Sequence, residues 1–247
     1  GGTHHVEDLH RAGGIQAVIK ELADHGCIAT DCLTVTGSRV GDNLEAVRIR
    51  DTEIIRDFKA PYHDQGGLAV LFGNLAPEGC VVKQSAVVDK MLVHEGPARV
   101  FESEEDATKA IMDGLIKKGD VVVVRYEGPK GGPGMREMLT PTSVIAGMGL
   151  DAHVALITDG RFSGGTRGAS IGHISPEAMQ RGPIAAVQEG DLIAIDIPAK
   201  KITLKISDDE MEKRLSEWTA PEPKITKGYM ARYAKMVSSA SRGAVVT

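Results

Sequence analysis

Short apolar runs of strand length recur along the chain from residue 67 onward, and this feature most constrains the fold. The runs are rich in Val and Ile, and several are apolar at every position, which is typical of strands buried on both faces. They cover residues 68–71, 80–83, 96–101, 121–126, 154–157, 192–197 and 201–206. Many strands with few helices between them predict a barrel-like or sandwich β core decorated by helices.

Helix signals are fewer and lie between these runs. The segment 103–117 begins Ser103-Glu-Glu-Asp106, a capping pattern with acidic residues in the first turn. Residues 141–148 and 208–217 are the other helical candidates in this part of the chain. Outer helices around a β core therefore predict an α/β fold for residues 59–247.

Residues 1–58 have a different character and are predicted to form a separate unit with its linker. Apolar residues recur at helical spacing over 6–25, and Gly13-Gly14 divides them into two short helices. We also expect a strand at 33–36, a short helix at 43–49 and an irregular connector at 50–66.

Composition is that of an ordinary soluble domain. The 247 residues are 42% hydrophobic and 26% charged with a net charge of −5, which gives no reason to expect nucleic-acid or membrane binding. The three cysteines form no CxxC pair, which favours reduced thiols and a cytoplasmic location. Because the chain begins Gly1-Gly2 without an initiating Met, we expect it to be part of a longer protein.

The loop after residue 157 is the strongest candidate for a functional site. It contains Gly160, Gly164, Gly165 and Gly168, with Ser163 and the cations Arg161 and Arg167 among them. Glycines let backbone N–H groups approach an anion, and arginines suit a carboxylate or phosphate. The alternative is an ordinary turn in which Asp159 bonds its own backbone. The pattern Gly-x-Ser-x-Gly of serine hydrolases is not met, because Arg161 stands at its first position.

A second glycine-rich loop spans residues 128–137 and ends at Glu137. It is not a P-loop, because Pro133 occupies the sixth position. Glu137 could ligate a hard cation, or it could be a solvated acid at a helix start. Gly147-Met-Gly149 imitates a dinucleotide fingerprint but precedes a strand, so NAD binding is the weakest interpretation. His173 is either a support for the Ser163 loop or an ordinary structural histidine.

Four motifs resemble the dihydroxy-acid dehydratase family, which also includes phosphogluconate and sugar-acid dehydratases. They are Leu-Ile-Thr-Asp-Gly-Arg-Phe-Ser-Gly-Gly-Thr at 156–166, Gly-Pro-Lys-Gly-Gly-Pro-Gly-Met-Arg-Glu-Met at 128–138, Gly-Gly-Leu-Ala-Val-Leu-Phe-Gly-Asn-Leu at 66–75 and His-Val-Glu-Asp-Leu-His-Arg-Ala-Gly-Gly at 5–14. Their order is that of the family's C-terminal half, and within the family they look closest to the branched-chain-acid enzyme.

The resemblance implies dehydration of a 2,3-dihydroxy carboxylate to a 2-keto acid, a step toward valine and isoleucine. It implies Ser163 as the base, Glu137 as a Mg²⁺ ligand, and positioning roles for Arg161, Gly164, Gly165 and Thr166. It also implies an iron–sulfur cluster, a homodimer when full length, and a swivelling β/β/α domain with a barrel-like core. Residues 1–58 would then be the remnant of an N-terminal α/β domain.

The cysteines of this chain do not match the family's cluster ligands. Cys27, Cys32 and Cys80 fall at none of those positions, and the resemblance places the cluster and the other magnesium ligands in the N-terminal half. We therefore expect the isolated chain to lack both cluster and activity. A sugar-acid or phosphogluconate dehydratase of the same family and a non-catalytic anion-binding module are the alternatives.

Overall fold

A computed structural model describes residues 4–247, and the chain divides into two compact units between Gly66 and Gly67. This division falls eight residues after the boundary expected from the sequence. Among the helices of the described residues, none combines the length and apolar character needed to cross a bilayer.

The first unit is a small helical cluster. It contains α1 (Val6–Arg11), α2 (Gly14–Asp24) and α3 (Val40–Leu44), around a core of Ala12, Ala17 and Ile55. The break between α1 and α2 at Gly13-Gly14 is confirmed. The irregular connector after α3 is also confirmed, since residues 50–66 hold no helix or strand.

Two predictions for this unit were wrong. Residues 33–36 form a turn with a single bridge from Leu33 to Arg39, because Thr34 Oγ1 bonds the carbonyl of Ser38 and Gly37 takes a φ of 81°. Val35 is fully exposed, so no buried face stabilises a strand there. The helix expected at 43–49 lies at Val40–Leu44 instead.

The second unit is a closed eight-stranded barrel with outer helices, which confirms the predicted α/β fold with a barrel-like core. Its strands are β1 (Ala69–Gly73), β2 (Ala76–Val82), β3 (Val93–Phe101), β4 (Val121–Val124), β6 (Ala155–Thr158), β8 (Ser170–Ser175), β9 (Leu192–Asp196) and β10 (Lys201–Leu204). They follow the order β1-β10-β9-β3-β4-β6-β8-β2 around the barrel. The short strands β5 (Glu137–Met138) and β7 (Arg161–Phe162) pair separately.

One arc of the barrel is parallel, and it positions the candidate site. Strands β3, β4, β6 and β8 run in the same direction, with Val121 beside Ala98 and Ala155 beside Val121. Helix α4 (Glu104–Met112) connects β3 to β4, and α5 (Thr140–Gly147) lies between β4 and β6. The carboxyl ends of β4 and β6 therefore meet at one edge of the barrel.

The valines of β4 show why this arc is apolar throughout. Val121 and Val123 point into the barrel core, whereas Val122 and Val124 pack in a second cluster with residues of α4 and α5. Alternating side chains of a strand between two apolar layers are all buried, which explains the continuous apolar run.

The residue pattern predicts neither β8 nor the helix α7 (Gly228–Met236). In β8, Gly172 and the left-handed His173 (φ 59°) interrupt the apolar pattern, although most of its residues are buried. The three predicted helices of this unit are confirmed as α4, α5 and α6 (Asp208–Glu217), with α4 ending earlier than expected. In α4 the Ser103 hydroxyl accepts the Asp106 N–H at 3.1 Å, as a capping residue does.

Candidate functional site

Two loops leave the barrel at the edge where β4 and β6 end. The loop after β4 runs to Glu137, and the loop after β6 contains Ser163. In α/β sheets, ligands bind outside the carboxyl ends of the parallel strands, because the loops there converge. The fold therefore carries both glycine-rich motifs to the edge where a site is expected.

The pairing of β5 with β7 brings Glu137 and Ser163 to neighbouring strands. Glu137 lies opposite Arg161, and the Ser163 N–H donates to the Met138 carbonyl at 3.0 Å, which extends the pairing by one residue. Since side chains alternate along a strand, Glu137 and Arg161 lie on one side of the pair and Met138 on the other, and Ser163 is the first residue after β7. Exposure agrees, because Glu137 and Arg161 are exposed and Met138 is fully buried.

The Ser163 hydroxyl lies at the start of a tight turn that has free space on one side. The side chain is half-buried, its Oγ accepts the Gly165 N–H at 3.4 Å, and the Thr166 N–H donates to the Ser163 carbonyl. A Cβ added at Gly164 would meet nothing within 4 Å. Gly164 therefore leaves free space in the turn, and a Cβ at Gly165 would lie 3.9 Å from the Ser163 Oγ.

One cationic side chain contacts this turn directly, and two more belong to the same loop. The Lys83 ammonium, at the end of β2, donates to the Gly164 carbonyl at 3.0 Å. The Arg161 guanidinium uses its Nε to bond the Met135 carbonyl at 2.6 Å, and Arg167 is exposed. Positive charge next to a hydroxyl favours its deprotonated form. Lys83 was missed by the sequence analysis, because its contact with Gly164 spans 81 residues of sequence.

Thr166 and His173 support the loop from inside. Thr166 is buried, and its hydroxyl donates to Thr142 Oγ1 on α5 at 3.3 Å. The His173 N–H donates to the Gly160 carbonyl at 2.8 Å. Burial, with a smaller effect from Arg161, lowers the pKa of His173 below its ordinary value.

The glycines of the loop at 128–134 have a different role from those beside Ser163. A Cβ at Gly128 would lie 2.6 Å from Glu177 Oε2, and one at Gly132 would lie 2.8 Å from Glu127 Oε2. These glycines allow the loop to pack against buried acids of the protein itself, rather than leaving space for a ligand.

Two buried carboxylates hold this loop. Asp159 accepts the N–H groups of Tyr126, Glu127 and Ala178 at 2.9–3.1 Å, and Glu177 accepts those of Lys130 and Gly131 at 2.8–3.1 Å. Burial raises the pKa of Asp159, and it raises the pKa of Glu177 to about 7. The alternative in which Asp159 bonds its own backbone is not found, because its oxygens accept N–H groups of Tyr126, Glu127 and Ala178. Thr158 Oγ1 instead accepts the Gly160 N–H.

A third buried acid, Glu127, connects the loop to the C-terminal part of the chain. It accepts from the Lys224 ammonium at 2.7 Å and from the Arg136 guanidinium at 3.4 Å. Arg136 also pairs with Glu105 of α4 at 2.7 Å. Arg136 directly precedes Glu137, so these ion pairs restrain the backbone next to the candidate metal ligand.

The described residues offer one ligand that suits Mg²⁺, but the buried Cys80 does not suit an iron–sulfur cluster. Glu137 offers an exposed carboxylate, the oxygen ligand that Mg²⁺ prefers, but residues 4–247 contain no group of three His, Cys, Asp or Glu side chains placed to hold a metal. Cys27 and Cys32 are exposed, whereas Cys80 is buried, which raises the pKa of its thiol to about 12. Iron–sulfur clusters bind thiolates, so Cys80 does not fit a cluster.

These features define an α/β barrel protein with a hydroxyl, a carboxylate and cations gathered at the carboxyl edge of its parallel strands. The family model described as "Dihydroxy-acid/6-phosphogluconate dehydratase C-terminal" matches residues 53–244, and the corresponding N-terminal model matches residues 1–43. The chain belongs to the dihydroxy-acid/6-phosphogluconate dehydratase family.

Several curated relatives are named dihydroxy-acid dehydratase. The chain is 75% identical to the one from Desulfatibacillum aliphaticivorans over 246 residues, 72% to that of Desulfosudis oleivorans over 245, and 64% to that of Acetivibrio thermocellus over 245. These alignments cover 99–100% of this chain but 44% of each relative. The chain thus spans less than half the length of these relatives.

Proposed function

We propose that this chain supplies the base-bearing part of a dihydroxy-acid dehydratase, which converts a 2,3-dihydroxy carboxylate to a 2-keto acid in branched-chain amino-acid synthesis. The observation that carries the proposal is the pairing of β5 with β7, which places Glu137 opposite Arg161 and bonds the Ser163 N–H to the Met138 carbonyl. The names of the relatives support the reaction type.

In the proposed reaction, Ser163 acts as a general base. Its deprotonated Oγ takes the proton from C2 of the substrate, the C3–O bond breaks, and the leaving hydroxide takes a proton from solvent to form water, while Ser163 returns its proton to solvent. The resulting enol takes up a proton at C3 and loses the proton of its C2 hydroxyl, which gives the 2-keto acid. Because the C2 proton is weakly acidic, a neutral hydroxyl would be too weak a base.

The surroundings of Ser163 favour its deprotonated form. The Lys83 ammonium and the Arg161 guanidinium supply positive charge, and the Gly165 N–H donates to Oγ. Glu137 would contribute one ligand to Mg²⁺, which when bound stabilises the negative charge that develops on substrate oxygens. The open space at Gly164 would admit the substrate carboxylate.

A chimaera tests this proposal in a complete enzyme. This chain would replace the matching 44% of the Desulfatibacillum aliphaticivorans protein, and turnover of 2,3-dihydroxyisovalerate would be measured. We expect Ser163→Ala to lower kcat by about 10³-fold or more, since loss of a general base costs about 10²–10⁴. Circular dichroism and Tm should stay unchanged.

Ser143→Ala is the matched control, because Ser143 is an exposed serine of α5. It should keep full turnover. Retained turnover in Ser163→Ala would refute the proposed base and favour a non-catalytic anion-binding module. Faster turnover of 6-phosphogluconate than of dihydroxyisovalerate would instead assign the chain to the sugar-acid members of the family.

A further inference from the structure

We propose that Asp159 is a positioning residue that couples the two halves of the candidate site, fixing the Ser163 loop and the Glu137 loop relative to each other. This inference rests on the proposed function for its catalytic meaning. The coupling itself follows from the contacts of one buried carboxylate.

The backbone of Asp159 is part of the segment that leads to Ser163. It follows β6 directly, and only Gly160 separates it from β7. The side chain of Asp159, in contrast, contacts the other loop. Oδ1 accepts the Glu127 N–H at 2.9 Å, and Oδ2 accepts the Tyr126 N–H at 3.1 Å, where the loop toward Glu137 begins.

A third contact fixes the carboxylate itself. Oδ2 also accepts the Ala178 N–H at 2.9 Å, and Ala178 starts the short helix after β8. The Asp159 side chain is 0% exposed. The two carboxylate oxygens accept three backbone N–H bonds from three different segments, so the side chain has one fixed orientation.

The backbone of the neighbouring loop shows that this restraint carries strain. Tyr126 has φ 62° and Met135 has φ 44°, both in the left-handed region that non-glycine residues rarely adopt. They flank the segment from Glu127 to Gly134. Such conformations persist where surrounding contacts over-determine them, and they cluster at functional sites. Asp159 bonds Tyr126 itself, so it holds the strained entrance of this loop.

Hydrogen exchange on this 247-residue chain tests the coupling without any need for activity. In Asp159→Asn, one carbonyl oxygen replaces two carboxylate oxygens, so at least one of the three N–H donors loses its acceptor. We expect amides in both segments, 125–138 and 160–167, to exchange about tenfold faster. Asp196→Asn is the control, because Asp196 accepts the Ala199 N–H in the β9–β10 turn, and it should leave both segments unchanged.

Faster exchange in only one of the two segments, or in neither, would overturn the inference. If Asp159→Asn does not fold, the native chain still decides the question. In low concentrations of urea, the amides of Glu127 and Ala178, which both donate to Asp159 and lie outside the β5–β7 pair, should open with the same dependence on denaturant, and different dependences would contradict coupling.

The chimaera separates this inference from the proposed function. There, Asp159→Asn should lower kcat/KM about tenfold, raise the Mg²⁺ concentration needed for half-maximal activity, and move the acidic limb of the pH profile. If the unmodified chimaera has no turnover, the proposed function fails while the exchange data still test the coupling. If it is active and Asp159→Asn behaves as wild type, the coupling alone fails.

Discussion

Single residues at the candidate site are defined by charge more than by shape. Ser163 has an ordinary hydroxyl, and what distinguishes it is the Lys83 ammonium bonded to the next residue of its turn. The glycines after it keep the space open, whereas those at Gly128 and Gly132 let buried acids approach the backbone. The same residue type therefore serves a ligand-facing turn in one loop and internal packing in the other.

Replacing Lys83 tests whether its charge tunes the base. In the active chimaera, Lys83→Met removes a positive charge near Ser163, so the pKa of the Ser163 hydroxyl should rise. Activity that depends on the deprotonated form should then appear at higher pH, with the acidic limb of the kcat/KM profile shifted up by roughly 0.5–1 unit. Lys83→Arg keeps the charge and should restore the profile. An unshifted limb in Lys83→Met would show that its ammonium does not act on the base.

Among the structural elements, the loop from β4 to β5 depends most on buried acids. Glu177, 2% exposed between β8 and the following short helix, bonds two N–H groups of this loop. Burial outweighs these bonds and raises its pKa from an ordinary 4.5 to about 7. The folded chain thus binds a proton at Glu177 more tightly than the unfolded chain does.

This raised pKa makes stability depend on pH in a defined direction. The contribution of Glu177 to stability is fully present below pH 4.5 and is lost as the pH rises to about 7. The free energy of unfolding should therefore fall by about 3 kcal/mol across this interval. Glu177→Gln cannot titrate and should flatten the fall. Urea denaturation at several pH values measures it, and equal slopes in both proteins would contradict the raised pKa.

At the scale of the whole molecule, the site is built where parallel strands of a barrel end, but the described residues supply only part of the proposed chemistry. One exposed carboxylate and one hydroxyl lie on adjacent paired segments, and the chain spans 44% of the length of its relatives. The remaining ligands of a metal centre must come from outside these residues if the proposed function is correct.

The isolated chain should consequently hold no iron–sulfur cluster. Cys27 and Cys32 lie in the first unit, and the buried Cys80 has a thiol pKa of about 12, so it stays protonated. After anaerobic incubation with iron and sulfide, we expect no cluster absorbance and no turnover of dihydroxyisovalerate. A stable cluster band accompanied by turnover would show that this chain is sufficient.

Much of the barrel could be predicted from local pattern. The all-valine run of β4 and the apolar run of β6 identified strands buried on both faces, since that environment leaves no polar position. Strand β8 escaped because Gly172 and His173 break its pattern, and its place between β6 and β2 depends on pairing with residues far away in sequence. The turn at residues 33–36 was mistaken for a strand because β-branched residues suit either structure when no burial is known.

By itself, the sequence determined which segments are apolar, where glycines permit tight loops, and which motifs resemble the family. Those are local properties of residue type and spacing. Only the tertiary structure decided that the strand of Glu137 pairs with the strand before Ser163, that Lys83 reaches the serine turn, and that Asp159 bonds backbone more than 30 residues before it and 19 after. Hydrogen bonds and electrostatic effects depend on the distance between groups in space. For residues far apart in sequence, the pairing of strands into a closed barrel sets that distance.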